Sequence, residues 1–241
     1  MKAVIWGANG AMGRLIRERL DGEIAGLVSL DGDEGVAKTG AELGPVSADV
    51  VIDFSHHCAA AEVIAYARAI GAATVIGTTG HTPAEKALIL DAAKEIPVFY
   101  SGNMSLGIAV LCKLAAQAAA CFPDADIEIL EIHHNRKVDA PSGTARMLFD
   151  AIKAVRPEAT DHCGRTGEGK REKREIGIAS LRMGNVVGVH EVHIHTANQS
   201  LTLRHDAGSR GMLADGAVDA ARFMVGKAAG LYTMAELLEE K

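Results

Sequence analysis

The run Glu131-Ile-His-His-Asn-Arg-Lys-Val-Asp-Ala-Pro-Ser-Gly-Thr-Ala-Arg146 carries the densest chemistry of the chain. Two adjacent imidazoles, His133 and His134, precede two cations, Arg136 and Lys137, and then a helix start. An imidazole titrates near pH ~6.5, so at neutral pH it both holds and yields a proton. At a strand end successive side chains point to opposite faces, so His133 and His134 cannot share one job. One suits a proton donor, the other an anion ligand. Lys137 is a compact charge suited to a carboxylate; Arg136, its rival, faces solvent or pairs with an acid. Ser142, Gly143 and Thr144 form the helix start, with Ser142 as N-cap. N–H groups at such a start bind carboxylates. Lys137 and this helix end can hold two carboxylates, one each, beside an imidazole acid.

Gly7-Ala-Asn-Gly-Ala-Met-Gly13 is the second chemical feature. It follows an apolar run over 2–6 and precedes a helical pattern over 14–20. The glycines permit a tight turn and let the backbone of Gly7, Ala8, Asn9, Gly10, Ala11 and Met12 approach a pyrophosphate at a helix N-terminus. The spacing G-x-x-G-x-x-G is a variant of G-x-G-x-x-G, weak alone and much stronger between a strand and a helix. The alternative is a glycine turn in an α/β domain of other purpose. Ser29, Leu30 and Asp31 are candidates to read the adenosine ribose. Asp31 favours NADH by accepting from ribose hydroxyls. No Arg lies nearby for a 2′-phosphate, although Lys38 is in the following loop, so both NADH and NADPH stay open. Gly77, Thr78 and Thr79, and then Gly102, Asn103, Met104 and Ser105, follow later strands and line a nicotinamide end. Either loop alone also reads as a turn.

These residues need a scaffold of alternating elements. Strands are expected over 2–6, 24–30, 49–54, 73–76 and 97–100. Helices follow over 14–20, 57–70, from Pro83, and over 104–121, with 31–47 as loop. This alternation predicts a Rossmann-type parallel sheet with helices on both faces. The rhythm then changes to a strand over 127–132, a helix over 142–155, and strands over 176–183, 186–196 and 199–206 with short turns. That pattern predicts an α+β domain with a mostly antiparallel sheet. Helices over 210–225 and 233–240 return to the first domain. The organisation expected is a dinucleotide-binding domain of 1–105 and 210–241 and a substrate-binding and oligomerisation domain of 106–209. Hinges are expected near 103–106 and 209–211.

Composition narrows the classes. The 241 residues are 48% hydrophobic and 23% charged, a globular balance. A net charge of -6 and 4% aromatics exclude a nucleic-acid partner over the whole surface. No apolar run reaches membrane-spanning length. The four cysteines form no C-x-x-C pair, and all four are expected reduced in a cytoplasmic protein. His193 and His195, at i and i+2, lack a third ligand, so no metal site is assigned. His56-His57 reads as a helix start, and Lys170–Glu175 as a solvated charge run. Arg165 or Arg171 remain candidates to reach a substrate.

With those residues in view, the chain resembles the dihydrodipicolinate reductase family nearly end to end. The glycine turn, Asp53-Phe-Ser55, Gly77-Thr-Thr-Gly80, Asn103-Met-Ser105 and Glu131-Ile-His-His-x-x-Lys-x-Asp-Ala-Pro-Ser-Gly-Thr144 stand in the family's order. So do Ser180-Leu-Arg182, Gly188-x-His190 and Ser209-Arg210. The resemblance implies reduction of a cyclic dicarboxylated imine with NADH or NADPH in the diaminopimelate–lysine pathway, and a homotetramer. It implies His133 as proton donor, and His134, Lys137, Gly143 and Thr144 as substrate ligands, Lys137 also acting in catalysis. Leu30-Asp31 replaces the family's frequent Glu-Arg pair, Met104 its Phe, and Gly102 its Ala. Another NAD(P)-dependent amino- or keto-acid dehydrogenase, or a non-catalytic dinucleotide sensor, are the competing readings.

Overall fold

The computed structural model describes residues 1–241. The chain divides into two compact units, one of Met1–Leu106 with Gly211–Lys241, the other of Gly107–Arg210. The sequence boundaries fall one residue from these. In the first unit, apolar runs form β1 (Ala3–Trp6), β2 (Ile24–Val28), β3 (Val50–Asp53), β4 (Ala73–Ile76) and β5 (Pro97–Tyr100). β1, β3 and β4 are buried at every position, as strands of a sheet covered on both faces must be. Between them run α1 (Ala11–Arg19), α2 (Gly40–Leu43), α3 (Ala60–Ile70) and α4 (Pro83–Ala92). α4 starts on a capping box, Thr82 with Glu85, and carries Pro83 in its first turn.

The second unit opens with α5 (Leu106–Cys121), which leads to β6 (Asp126–His133) and α6 (Gly143–Val155). β7 (Thr160–Cys163), β8 (Glu175–Arg182), β9 (Val189–His195) and β10 (Ser200–Asp206) follow. The sheet order is β10-β9-β6-β8-β7. Pairing is antiparallel over β6–β9–β10 and parallel over β6–β8–β7. The parallel half arises because α6 crosses over between β6 and β7. Ile108, Leu111 and Ala115 of α5 and Leu148, Phe149 and Ile152 of α6 bury one sheet face. That face carries Ile127 and Ile129, Ile176 and Ile178, and Val192 and Ile194.

The chain then returns to the first unit through α7 (Gly211–Met224), β11 (Gly230–Tyr232) and α8 (Met234–Glu239). β11 adds to the β5 edge, giving an all-parallel sheet of order β11-β5-β4-β3-β1-β2. The winding reverses between β1 and β3, and such a switch point is where α/β sheets bind ligands.

Several local expectations need correction. β2 ends at Val28, because Ser29 N–H turns to Ala37 O and Gly32 N–H closes back on Ser29 O. The expected loop over 31–47 contains α2, capped by Thr39. Gly40 opens α2 because a Cβ there would meet the Trp6 and Tyr66 rings at 2.7 Å. The helix over 57–70 starts as a 3-10 turn, His57–Ala59, with His56 as its cap. β7 is an additional strand with no apolar pattern in the sequence, because all four of its residues are exposed. All four cysteines are free.

Candidate active site

The chemistry of the second unit collects at the C-terminal end of β6. Alternation puts Ile127, Ile129, Glu131 and His133 on the buried face. The first two belong to the core; the last two replace it with polar atoms. Register brings Ser180 of β8 and His190 of β9 alongside Glu131, and Arg182 alongside His133. Glu131 is fully buried, yet its two oxygens have many partners. Oε1 accepts from Arg182 (2.7 Å) and from the Ser142 N–H (3.1 Å); Oε2 accepts from Arg182 (3.0 Å) and meets His133 Nδ1 at 2.5 Å. Burial pushes the Glu131 carboxyl up, but the bonds from Arg182, Ser180 and His133 outweigh it and hold it at about 2.

His133 therefore has Nδ1 against a carboxylate. Its Nε2 faces Gly188, where a Cβ would lie only 3.1 Å away. The His190 ring packs edge-on against it, centroids 5.1 Å apart. Burial, and after it the charge of His133, press His190 down to about 4, so His190 is neutral at physiological pH. Its Nε2 meets Ser142 Oγ at 3.2 Å. Ser142 caps α6 as the sequence predicts, accepting from the Ala145 N–H. Gly143 and Thr144 are the first two residues of that helix.

His134 leaves the strand on the other side and is half-buried. Desolvation, followed by the charges of Arg136, Arg210, His133 and Lys137, lowers its pKa and favours a neutral ring. Lys137 is paired with Asp139, Nζ to Oδ1 2.8 Å. Arg136 is exposed and donates to Asn185. Glu131, His133 and His190 lie close enough to share a cation, but the Arg182 fork already neutralises the carboxylate and Ser142 takes His190 Nε2.

Arg165 and Arg171 stand elsewhere. Arg165 pairs with the buried Glu175, and Arg171 with Asp126 and Glu128. They pin the start of β6 and β8, away from the polar end of β6. The charge run 170–175 is thus not merely solvated. Glu131, Arg182, His190 and Gly188 are site residues for which the residue-level reading gave no role. The signal was present: a Glu two positions after two strand isoleucines sits on a buried face and needs partners.

In the first unit, the glycine turn follows β1. Gly7 has φ 81, and a Cβ on it would meet Phe54 O at 2.3 Å; one on Gly13 would meet Gly7 O at 2.2 Å. The loops after β1 and β3 thus close on each other at the switch point. α1 begins at Gly10 with no side-chain cap, whereas α2, α4, α6 and α8 each have a Ser or Thr cap. A helix N-terminus left uncapped behind a glycine turn fits a phosphate. Ser55 N–H donates to Asp53 Oδ1 and Thr78 Oγ1, both at 3.0 Å, tying the loops after β3 and β4. A cleft of about 340 Å³ opens above them, lined by Met12, Gly77, Thr78, Thr79, Gly102, Asn103 and Met104, with Phe54, Ser55 and Leu213. Ala8 is fully buried with its N–H on the Val28 carbonyl, and Ser105 is buried with its N–H on Asn103 Oδ1. Asp31 is exposed in the turn after β2 and does not line this cleft.

Sequence and fold comparisons relate the chain to known proteins. A family model described as dihydrodipicolinate reductase, N-terminus, matches residues 1–104, and its C-terminal counterpart matches 107–238. The 4-hydroxy-tetrahydrodipicolinate reductase of Alkaliphilus metalliredigens is 41% identical over 242 residues, 99% of each chain. That of an Anaeromyxobacter species is 46% identical over 223 residues, 90% of this chain and 82% of the other. Among solved structures, the dipicolinate-bound dihydrodipicolinate reductase of Paenisporosarcina sp. TG-14 shares the fold with TM-score 0.75, covering 97% of each chain at 24% identity. An amine dehydrogenase from Mycobacterium smegmatis shares it with TM-score 0.64 at 13% identity, covering 97% of this chain and 95% of that one. Matched over both halves, the chain belongs to the dihydrodipicolinate reductase family, an oxidoreductase family.

Proposed function

We propose that the protein reduces 4-hydroxy-tetrahydrodipicolinate to tetrahydrodipicolinate in diaminopimelate and lysine biosynthesis, using NADH or NADPH. The observation that carries this reading is His133, braced by a buried carboxylate and directed at Gly188, which has no side chain, beside Lys137 and the α6 start. The first unit is the dinucleotide-binding domain. The turn Gly7, Ala8, Asn9, Gly10, Ala11 and Met12 brings the start of α1 to the pyrophosphate, the N–H groups of Gly7, Ala8 and Gly10 holding the turn itself; Gly77–Thr79 and Gly102–Ser105 shape the cleft for the nicotinamide, with Asn103 giving the Ser105 loop its form. The second unit is the substrate domain, and its sheet is the oligomerisation surface of a cytoplasmic homotetramer. Exposed Asp31 is offered to the ribose, so the preference between the two nucleotides is decided outside the catalytic cassette.

Held by Gly77–Thr79 and Gly102–Ser105, a reduced nicotinamide would supply the hydride for the ring carbon from which water has been lost. The electron pair displaced onto the adjacent ring carbon then takes a proton from His133 Nε2. Lys137 exchanges its exposed partner Asp139 for one substrate carboxylate. Gly143 and Thr144, behind the Ser142 cap, receive the other at the positive end of α6. His134, kept neutral, hydrogen-bonds the substrate without adding charge. These contacts fix the ring before reaction, which is worth more to the rate than affinity alone.

The deciding assay follows NADH and, separately, NADPH at 340 nm, with substrate formed in place from pyruvate and aspartate semialdehyde by a coupling synthase. His133→Ala and Lys137→Ala are each expected to lower kcat at least 10²-fold with the fold intact. Near-normal turnover in both variants overturns the assignment. A rise in KM alone for Lys137→Ala assigns that residue to ground-state binding. The Paenisporosarcina protein was solved with dipicolinate, and competitive inhibition by this planar diacid is expected here too.

A further inference from the structure

We propose that Glu131, clamped by Arg182, is a positioning residue that keeps a proton on His133 Nδ1 and presents Nε2 toward Gly188. The inference rests on His133 being the proton donor, and it adds what makes His133 one. Three observations carry it. The Glu131 carboxylate is fully buried, and its Oε2 lies 2.5 Å from His133 Nδ1. A carboxylate only accepts, so the proton between them belongs to the ring nitrogen. The Arg182 fork and the Ser142 N–H fix the carboxylate itself, so its orientation does not depend on substrate. Gly188 withholds a side chain where Nε2 points.

The charged and titratable groups around His133 come from each element packed on it. They are Glu131 on β6, Arg182 on β8, His190 on β9 with His205 beside it on β10, and His134, Lys137 and Asp139 in the loop before α6. Arg182 and Lys137 are cations, and each is matched by a carboxylate, Glu131 and Asp139. Glu131 is the only carboxylate in contact with the ring itself. Without it, an imidazolium would face Arg182 unshielded.

The isosteric test is Glu131→Gln. The Oε1 position meets two donors, Arg182 and the Ser142 N–H, so the Gln carbonyl takes that side. Its NH₂ then faces His133 Nδ1 and donates to it. The neutral ring is left with its proton on Nε2, and the cation loses its counter-charge. The expected result is a kcat about 10²-fold lower, a KM and nucleotide affinity within about threefold, and an alkaline limb of kcat moved about one pH unit lower. Glu131→Asp keeps the charge and shortens the reach; it is expected to lose part of kcat with its alkaline limb unmoved. A structural role alone would lower thermal stability in both variants without moving that limb.

A nitrogen-15 histidine spectrum of the parent protein decides the same point should Glu131→Gln fail to fold. The His133 signal, assigned by its loss in His133→Ala, is expected to show Nδ1 protonated in both the charged and the neutral ring. A neutral ring protonated on Nε2 overturns the proposal, as does Glu131→Gln with parental kcat and pH profile. An active His133→Ala variant sinks the proton-donor reading instead. The two failures are therefore separable.

Discussion

Gly188→Ala tests the geometry at its narrowest place. Ile132 pairs with Val189, so Gly188 is the next position and faces His133. A Cβ there would lie 3.1 Å from His133 Nε2, 3.5 Å from its Cδ2 and 3.6 Å from His190 Cε1. Ordinary carbon contacts begin at about 3.5 Å, so the methyl intrudes by roughly 0.4 Å on Nε2 alone. The ring cannot retreat easily, because Nδ1 is held at 2.5 Å from a fully buried carboxylate. Overpacking of this kind costs about 1–3 kcal/mol, which lowers the melting temperature by a few degrees. The larger consequence is chemical, because the methyl stands at the nitrogen that delivers the proton. Displacing a reacting partner by about 1 Å costs roughly 10²-fold in rate. For an overlap of about 0.4 Å the expected outcome is a kcat roughly tenfold lower in the 340 nm assay, with nucleotide affinity unchanged by fluorescence titration. Parental kcat in a folded Gly188→Ala protein refutes the reasoning, since the working nitrogen then points elsewhere.

Acid should weaken the second unit in two stages. His190 sits at about 4 instead of its ordinary 6.5, so its contribution is complete above pH 6.5 and is lost as pH falls toward 4. Glu131 sits at about 2 instead of 4.5, so its contribution is complete above pH 4.5 and is lost toward pH 2. Each amounts to about 3 kcal/mol, and urea midpoints for His190→Gln should flatten the upper stage only; an unchanged slope there contradicts the reading. Gly10→Ala meets Gly7 O at 3.2 Å with φ -68, so the fold should persist while the methyl obstructs the phosphate. Isothermal titration should show nucleotide affinity at least tenfold weaker; parental affinity would move the pyrophosphate off α1. Arg171→Ala removes the bonds to Asp126 and Glu128 and to the Ile127 and Glu175 carbonyls. It should lower the thermal midpoint and leave kcat and KM unchanged, and a raised KM would restore Arg171 as a substrate ligand.

Legibility from sequence followed the strength of each local signal. β1, β3 and β4 are short apolar runs ended by glycine or aspartate, and they were readable because burial on both faces demands continuous hydrophobicity. β7 and β11 were not, because one is exposed along its length and the other has three residues. Their pairing is imposed by neighbouring edges rather than by their own side chains. The mixed direction of the second sheet was hidden for a related reason. Short turns join β8, β9 and β10, but the strand beside β8 is β6, reached across α6. Within the site, His133, Lys137 and Ser142 could be singled out by residue type and order. Arg182 and His190, which complete the network, come from β8 and β9, 49 and 57 residues downstream of His133 in chain order, and strand register alone brings them to it. The alternation of Ile127, Ile129, Glu131 and His133 did announce a buried acid, whose partner Arg182 only the register discloses.

The buried network has a consequence for stability as well as for rate. Replacing a buried ion pair with well-packed apolar residues is often neutral or stabilising, whereas removing one partner alone costs about 3–5 kcal/mol. Ile129 and Ile127, one and two alternations before Glu131 on the same strand face, show what the core accepts there. Carried through Glu131 and Arg182, an apolar pair would extend the core toward the end of β6. The double replacement Glu131→Leu with Arg182→Leu is therefore expected to melt above either single variant, and below the parent only by what the Ser142 N–H and His133 Nδ1 lose with Glu131. Each single replacement is expected to melt several degrees lower, since it strands the other charge. The same double variant should lose turnover at least 10²-fold, because the braced Nδ1 is gone. Stability regained over the single variants with activity still lost would mean that the pair is held at this position for proton transfer rather than for folding. A double variant that melts well below both single variants would reverse that conclusion and make the ion pair a structural element of the sheet.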